Sequence, residues 1–248
     1  MPIPELAIVI AAYDEEETIT GVIQELLDVL GSADGSPDSI DFEVLVVDDG
    51  SRDRTPDICA ELAQASDRIR LVRHPTNLGK SAAQLTAALN TQASWILTMD
   101  ADGQNDPRDF QSLWQAAQAL PPGSPTILCG RRTRRADTWL KFLSSRIANG
   151  VRRSLLHDET PDTGCGIKLF PRREFLELPS FHNMHRFLPC LFLRQGGKTL
   201  SLPVNDRLRQ GGTSKFGLKN RLFTGIVDLL GVLWLVRRKT GTFSSLRP

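Results

Sequence analysis

The sequence has few cysteines and no long apolar segment. Its 248 residues include four cysteines, none of them in a Cys-x-x-Cys pair. This spacing argues against a thiolate metal site or a disulfide framework and is typical of a reducing compartment. The N-terminus carries Glu5 and leads directly into a short apolar run, which is not the pattern of a signal peptide. We therefore expect a cytoplasmic protein.

The net charge of +1 conceals an uneven distribution. Residues 1–130 hold 7 Lys and Arg against 21 Asp and Glu, a net charge of −14, whereas residues 131–248 hold 23 against 8, a net charge of +15. Such halves predict a basic face that meets phosphates or an anionic membrane surface. The alternative is that the two halves neutralise each other across the fold.

Strand-like and helix-like segments alternate over the first 130 residues. Strands are predicted at residues 6–12, 44–47, 69–73, 95–99 and 126–129. We expect the first helix to open at Asp14 to Glu17, because acidic side chains are favoured at the positive end of a helix. The alternation at short loop lengths predicts an α/β fold with a doubly wound, largely parallel sheet.

The last third of the chain is more irregular. It predicts a helix around 138–157, a short helix near 184–195 and a strand at 199–206. Residues 222–236 are mostly apolar and have basic residues at both ends. A helix of that length, at about 1.5 Å per residue, is shorter than the roughly 30 Å hydrocarbon core of a bilayer. We predict a membrane-surface helix with basic ends, or alternatively a helix packed on its own core. The predicted domains are 1–220 and 221–248.

An acidic cluster follows the predicted strand at 95–99. Asp100 and Asp102 lie two residues apart, and Gln104 adds a neutral oxygen. Hard oxygen ligands suit Mg²⁺ or Mn²⁺, which also share substrate phosphates. Since ligands bind at the carboxyl ends of strands in open α/β sheets, the cluster predicts metal-assisted chemistry on a nucleotide diphosphate.

A second acidic pair, Asp48 and Asp49, ends a neighbouring strand. One member could accept hydrogen bonds from a base or a ribose, and one could cap the following turn, so we expect one to bind and one to cap. Residues 77–81 resemble half of a P-loop, but His74 stands where that motif needs a glycine. Lys80 then either steadies the donor or pairs with an aspartate.

A basic loop at residues 209–215 combines two cations, a serine and two glycines. Arg209 offers a planar fork, Lys215 a point charge, and the glycines allow close backbone approach. The loop suits a phosphate clamp, although its composition is also that of an ordinary exposed basic loop.

Together these stretches resemble the family 2 glycosyltransferases of GT-A fold, and within them the dolichol-phosphate mannose synthase group of polyprenyl-phosphate sugar synthases. The matching stretches are 10–16, 47–51, 77–80, 100–104, 163–168, 185–189 and 209–215. The resemblance covers roughly residues 5–220. Its most specific element is the Arg-x-x-Gly-x-Ser-Lys pattern from Arg209 to Lys215.

The resemblance implies a role for each matching position. The residues implied at the nucleotide sugar are Ala11, Tyr13, Glu15, Asp48, Asp49, Lys80, Asp100 and Ala101. Asp100, Asp102 and Gln104 would hold Mg²⁺ or Mn²⁺. The catalytic set would be Asp102, Arg131, Arg209 and Lys215. The acceptor phosphate would meet Ser145, Arg146 and Ser214.

The predicted activity is inverting transfer of a sugar from a UDP- or GDP-sugar to a polyprenyl monophosphate, for cell-envelope glycan or lipid modification. It would take place at the cytoplasmic face of the membrane, with the protein peripherally bound and without a nucleic-acid partner. Whether the chain forms a homo-oligomer stays open. His182 and His185 are either phosphate-facing or buried and satisfied.

Two other activities use similar residues. A glycosyltransferase with a hydroxyl acceptor needs a carboxylate base, for which Asp162 is the candidate. A nucleotidyltransferase would carry a glycine-rich signature after the first strand, which Tyr13-Asp14-Glu15 does not provide. A non-enzymatic binding scaffold would not explain two aspartate clusters.

Overall fold

A computed structural model describes residues 3–31, 40–121, 123–133, 150, 152–158, 160–208 and 218–238. The strands are β1 Leu6–Ala12, β2 Phe42–Asp48, β3 Ile69–Arg73, β4 Trp95–Asp100, β5 Thr126–Arg132, β6 Lys168–Pro171 and β7 Lys198–Val204. The helices are α1 Ile19–Gly31, α2 Thr55–Ala65, α3 Lys80–Leu89, α4 Asp109–Gln118, α5 Arg172–Leu176, α6 Leu188–Arg194 and α7 Leu218–Arg237, with a 3-10 turn at Met184–Arg186.

The strands form one sheet in the order β3-β2-β1-β4-β6-β5-β7. Within the described sheet, β6 is antiparallel to both of its neighbours, and the remaining pairs are parallel. The prediction of a largely parallel α/β sheet is confirmed.

Each face of the sheet is covered by helices, which explains the unbroken apolar strands. Leu6, Ile8 and Ile10 of β1 pack with α1 and α4 on one face. Ala7 and Val9 point to the other face, where α3, α6 and α7 pack. A strand buried on both sides needs apolar residues at every position.

The predicted start of the first helix is wrong. α1 begins at Ile19, and Asp14 has a φ of 50°, outside the right-handed helical region. The backbone N–H groups of Asp14 and Glu15 donate to the hydroxyls of Ser51 and Thr55 at 2.9 and 2.8 Å. These bonds tie Asp14 and Glu15 to the turn after β2, and the carbonyl of Glu15 accepts the N–H of Ile19 at the start of α1.

Several predicted residues lie outside the described part of the chain. They are Ser145, Arg146, Arg209, Ser214 and Lys215. Most of the helix predicted around 138–157 also lies there, although residues 152–156 are helical.

The apolar segment near the C-terminus is helical and belongs to α7. This helix begins at Leu218, so the predicted domain boundary after residue 220 falls inside it. Val232 is buried against the core that also contains α6. In the described part of the chain, no helix is both long and apolar enough to cross a membrane.

Candidate active site

Two strands carry acidic side chains to the same edge of the sheet. β1 lies between β2 and β4, with Ala12 opposite Asp48 and Ala11 opposite Asp100. The strand order reverses here, because β2 and β3 lie on one side of β1 and β4 lies on the other. In open α/β sheets, ligands bind at such a reversal. The two carboxylates therefore flank the crevice of the fold.

Asp48 lines a cleft of about 370 Å³. Its side chain is 1% exposed, and Oδ1 accepts the backbone N–H of Ser51 at 3.2 Å. Oδ2 has no hydrogen-bond partner among the described residues and lies 3.6 Å from Nε of Arg73. A buried acceptor of this kind is costly unless a donor reaches it. Asp48 lies buried beneath the cleft, which His74 and Pro75 also line.

Asp48, through its bond to Ser51, caps the turn after β2 as one member of the pair was expected to do, whereas Asp49 binds the segment before α3. The two oxygens of Asp49 accept the backbone N–H groups of Leu78 and Gly79 at 2.9 and 2.7 Å. Nδ1 of His74 lies 2.7 Å from Oδ1 of Asp49, and Nε2 of His74 lies 2.8 Å from the hydroxyl of Thr86. Asp49 thus fixes the approach to α3. The role of His74, which orients this carboxylate, is not visible in the sequence.

The loop after β1 reaches across to the loop after β4. The Thr18 hydroxyl donates to the carbonyl of Ala101 at 2.8 Å and lies 3.3 Å from Oε2 of Glu15. Ala101 is buried, whereas Ala11 and Tyr13 are half-buried at the end of β1. Thr18 therefore holds the two loops of the crevice together, although sequence reasoning did not single it out.

Asp100 lies among cations. Its carboxylate pairs with Nζ of Lys80 at the start of α3. Burial alone would raise the pKa of Asp100, but Lys80, with smaller contributions from Lys168 and Arg132, lowers it. A Cβ at Gly166 would collide with this carboxylate, so the glycine allows the close approach. Asp100 is therefore ionised and already compensated by protein charges.

Asp102 and Gln104 suit a divalent cation better than Asp100 does. Both are half-buried in the loop after β4, and Oδ1 of Asp102 accepts the backbone N–H of Gln104 at 3.2 Å. Within the described ranges, no three His, Cys, Asp or Glu side chains are grouped to hold an ion. One carboxylate and one amide oxygen fit Mg²⁺ or Mn²⁺ when substrate phosphates and water complete the shell.

Arg132, rather than Arg131, faces the crevice. Arg131 is exposed on β5, and successive side chains of a strand point to opposite faces. Arg132 forms a two-bond pair with Asp162, at 2.8 and 3.0 Å. The side chain of Asp162 is 6% exposed, and the pair with Arg132 holds it in place within the fold. The basic residues after the predicted strand 126–129 pointed to this part of the chain. β5 extends to Arg132, and with that longer strand the alternation of side chains would have placed Arg132 on the crevice side.

Lys168 is a buried cation that the sequence identified only within a matching stretch. It lies on β6, and Nζ donates to the carbonyls of Thr163 and Cys165 at 3.2 and 2.5 Å. Burial lowers the pKa of Lys168. This lysine fixes the loop that packs beside Asp100.

His185 is held close to the start of α3. The Ser81 Oγ accepts the backbone N–H of His185 at 3.2 Å and lies 2.8 Å from its Nδ1. The Ser81 hydroxyl and Nδ1 of His185 therefore share a hydrogen bond. Burial, with Lys80 and other nearby cations, holds the pKa of His185 well below 6.5. The ring of His182 packs against Gly79, where a Cβ would lie 2.8 Å from it.

The chain after β7 returns to the loop that carries Asp102. Asn105 and Asp206 form an antiparallel bridge. The backbone N–H of Arg207 donates to the carbonyl of Gln104 at 3.1 Å, and the Gln104 side-chain amide donates to the carbonyl of Arg207 at 3.3 Å. The chain therefore touches the acidic loop two residues before Arg209.

The sequence model of Glycosyl transferase family 2 matches residues 7–178. The chain belongs to glycosyl transferase family 2. The match includes both aspartate clusters and the buried Lys168, and it confirms the family predicted from the sequence. This glycosyltransferase is 27% identical over 229 residues to an undecaprenyl-phosphate 4-deoxy-4-formamido-L-arabinose transferase of Edwardsiella ictaluri, covering 92% of this chain and 67% of that protein.

Another relative of the glycosyltransferase is a dolichyl-phosphate beta-glucosyltransferase of Trichomonas vaginalis. The two are 28% identical over 236 residues, or 90% of this chain and 72% of the relative. A crystal structure of glucosyl-3-phosphoglycerate synthase from Mycobacterium tuberculosis, in complex with Mn²⁺ and UDP-glucose, has a TM-score of 0.63 to this chain. The match covers 92% of this chain and 79% of the synthase chain, with 17% sequence identity. This structural likeness confirms the GT-A fold.

Proposed function

We propose that this glycosyltransferase transfers a sugar from a UDP- or GDP-sugar to a polyprenyl monophosphate with inversion at the anomeric carbon. The bond between the anomeric carbon and the donor diphosphate breaks, and an acceptor phosphate oxygen bonds to the opposite face of that carbon. The nucleoside diphosphate leaves. Both relatives named above are transferases to undecaprenyl or dolichyl phosphate, which supports this acceptor class.

One observation carries the proposal: the chain leaving β7 is hydrogen-bonded to Gln104 just before the Arg209 to Lys215 segment. A basic segment that starts beside the diphosphate loop can bring a second phosphate next to the first. Arg209 and Lys215 would neutralise that phosphate, with Ser214 as a hydrogen-bond donor. Ser145 and Arg146 belong to the same proposed acceptor side, whereas Arg131 is exposed on the other face of β5.

In the donor half, Asp48 would receive the nucleoside in its cleft, beside Ala11, Tyr13 and Glu15. Asp102 and Gln104 would hold Mg²⁺ or Mn²⁺ on the diphosphate, where the bound cation offsets the charge of the leaving group. Lys80 keeps Asp100 neutralised, so that carboxylate does not repel the phosphates. Charge placement and positioning then carry the catalysis.

A phosphate acceptor removes the need for a general base. A phosphate monoester carries about −1.5 to −2 charges near pH 7 and is already a competent nucleophile. A hydroxyl acceptor would need a carboxylate nearby, but Asp162 is occupied by Arg132 and Asp158 by Arg152. The residue pairings therefore favour the phosphate acceptor over the hydroxyl acceptor.

The outer face of α7 supports peripheral membrane binding. Ile226, Val227, Leu230 and Trp234 are each half or more exposed on this helix. The guanidinium of Arg238 lies 5.0 Å from the centre of the Trp234 ring. An apolar stripe with cations at its end suits an anionic lipid surface, into which aromatic and aliphatic side chains insert. We propose that α7 binds the cytoplasmic leaflet and brings the site to its lipid acceptor.

Asp102→Asn tests the donor half of the proposal. The change removes the charge that would hold the cation but keeps the side-chain shape, so transfer from a nucleotide sugar to a short polyprenyl phosphate should fall by about a hundredfold or more. Asp28→Asn, at an exposed position on α1, is the matched control and should keep wild-type activity. Equal activity of the two variants would contradict the assignment of Asp102.

A further inference from the structure

A single arginine joins three parts of the crevice wall. Nη1 of Arg207 lies 2.9 and 2.8 Å from the two carboxylate oxygens of Glu25 on α1. Its Nη2 lies 2.8 Å from Oδ1 of Asp106, in the loop after β4. The guanidinium fork therefore bridges a helix and the acidic loop from a position on the chain leaving β7.

The charges in this bridge are partly shielded from water. The side chain of Asp106 is 11% exposed and that of Arg207 is 25% exposed. Burial alone would raise the pKa of Asp106, but the hydrogen bond from Arg207 lowers it. Hydrogen bonds between ionised partners are stronger than those between neutral ones, so this bridge restrains both chain segments.

The bridge acts on the residues proposed to hold the cation. The backbone carbonyl of Gln104 accepts the N–H of Arg207, and the side-chain amide of Gln104 donates to the carbonyl of Arg207. The side-chain amide nitrogen of Gln104 is thereby engaged by this backbone. The backbone N–H of Gln104 in turn donates to Asp102. Fixing Arg207 therefore fixes the orientation of both proposed ligands.

We infer that Arg207 is a positioning residue that holds the Asp102–Gln104 loop and the chain leaving β7 as one unit. The inference rests on the proposed function, because the loop is assigned to the donor diphosphate there. Arg207 does not touch the substrate itself. It acts by limiting the movement of Asp102 and Gln104.

Arg108 provides a matched control within the same network. It contacts the same two carboxylates, Glu25 and Asp106, with both Nη1 distances at 3.4 Å, but it is 65% exposed and belongs to the loop itself rather than to the chain leaving β7. Arg108→Gln removes one positive charge from the same acids without releasing Gln104. A difference between the two arginine variants therefore reports position rather than net charge.

The test is binding of UDP and of GDP in the presence of Mn²⁺, measured by titration calorimetry on the full chain. Arg207→Gln should raise the dissociation constant of the nucleotide about tenfold, and Arg108→Gln should raise it less than about twofold. Arg207→Lys keeps the charge but loses the fork, so its affinity should lie between those of the wild type and Arg207→Gln. Glu25→Gln should weaken binding in the same direction as Arg207→Gln, and the double variant should be less than additive.

A second readout does not depend on ligand. Hydrogen exchange of the peptide covering residues 102–108, measured without nucleotide or metal, should be faster in Arg207→Gln than in Arg108→Gln. Equal affinities and equal exchange for these two variants would overturn the inference while leaving the proposed function intact. If the wild type binds neither nucleotide with Mn²⁺, the proposed function fails and the inference fails with it.

Discussion

At the scale of single residues, burial and one hydroxyl set the state of His185. The Ser81 hydroxyl is hydrogen-bonded to Nδ1 and accepts the backbone N–H of His185, and burial together with Lys80 and Lys168 opposes protonation. The result is a neutral imidazole beside the crevice. Of the two alternatives predicted for His185, the structure supports the buried histidine, whose Nδ1 has a hydrogen-bond partner in Ser81.

The low pKa of His185 predicts a pH dependence of stability. Below about pH 6.5 the unfolded chain binds a proton that the folded protein takes up only at lower pH, so the free energy of unfolding falls on acidification. This group contributes at most about 1.4 kcal/mol per pH unit. His185→Gln should flatten the decline between pH 6.5 and 5 in urea denaturation, and His157→Gln, at an exposed position, controls for the substitution. An unchanged slope in His185→Gln would rule out this assignment.

Residue types at strand ends could be predicted from the sequence, but their partners could not. Asp48, Asp49, Asp100 and Asp102 follow apolar runs, which is a local signal. Lys80 was expected to steady the donor or to pair with an aspartate, and it pairs with Asp100. The pairs Arg132–Asp162 and Arg207–Glu25 join residues 30 and 182 positions apart, and only the fold brings them together.

At the scale of elements, β6 and α7 show which kinds of helix and strand can be predicted from the sequence. β6 has four residues and opens with a lysine, so it lacks the apolar run that revealed the other central strands. Its position comes from antiparallel pairing with β4 and β5. α7 was readable because its apolar positions extend over several turns, although the sequence could not say which of them face the core.

The exposed stripe of α7 predicts the effect of charge on membrane binding. Leu230→Glu and Trp234→Glu place carboxylates on positions that are 58% and 59% exposed, so folding should be little affected. Partitioning onto vesicles that contain anionic lipid should fall about tenfold or more, since an apolar contact is replaced by charge repulsion.

Leu89→Glu is the control for that experiment. Leu89 ends α3 and is 64% exposed, yet it lies outside the stripe. Flotation with liposomes should leave Leu89→Glu bound like the wild type. If the α7 variants float as well as this control, α7 does not bind the lipid surface.

At the scale of the whole molecule, the charge asymmetry has a structural counterpart. The acidic first half supplies Asp48, Asp100 and Asp102 to the donor side of the crevice. The basic second half supplies Arg132, Lys168 and the chain that leads to Arg209. Some of this charge is neutralised across the fold, as in Arg207–Glu25, which agrees with the alternative interpretation, whereas the basic face stays a prediction.

The most direct measurement compares two acceptors that differ only in the phosphate. Purified protein with Mg²⁺ or Mn²⁺ is given a panel of UDP- and GDP-sugars together with either a short polyprenyl monophosphate or the corresponding polyprenol. The account predicts a polyprenyl-phosphate sugar, with release of nucleoside diphosphate, from at least one donor and no product from the polyprenol. Transfer to the polyprenol, or to neither acceptor with any donor, would contradict it.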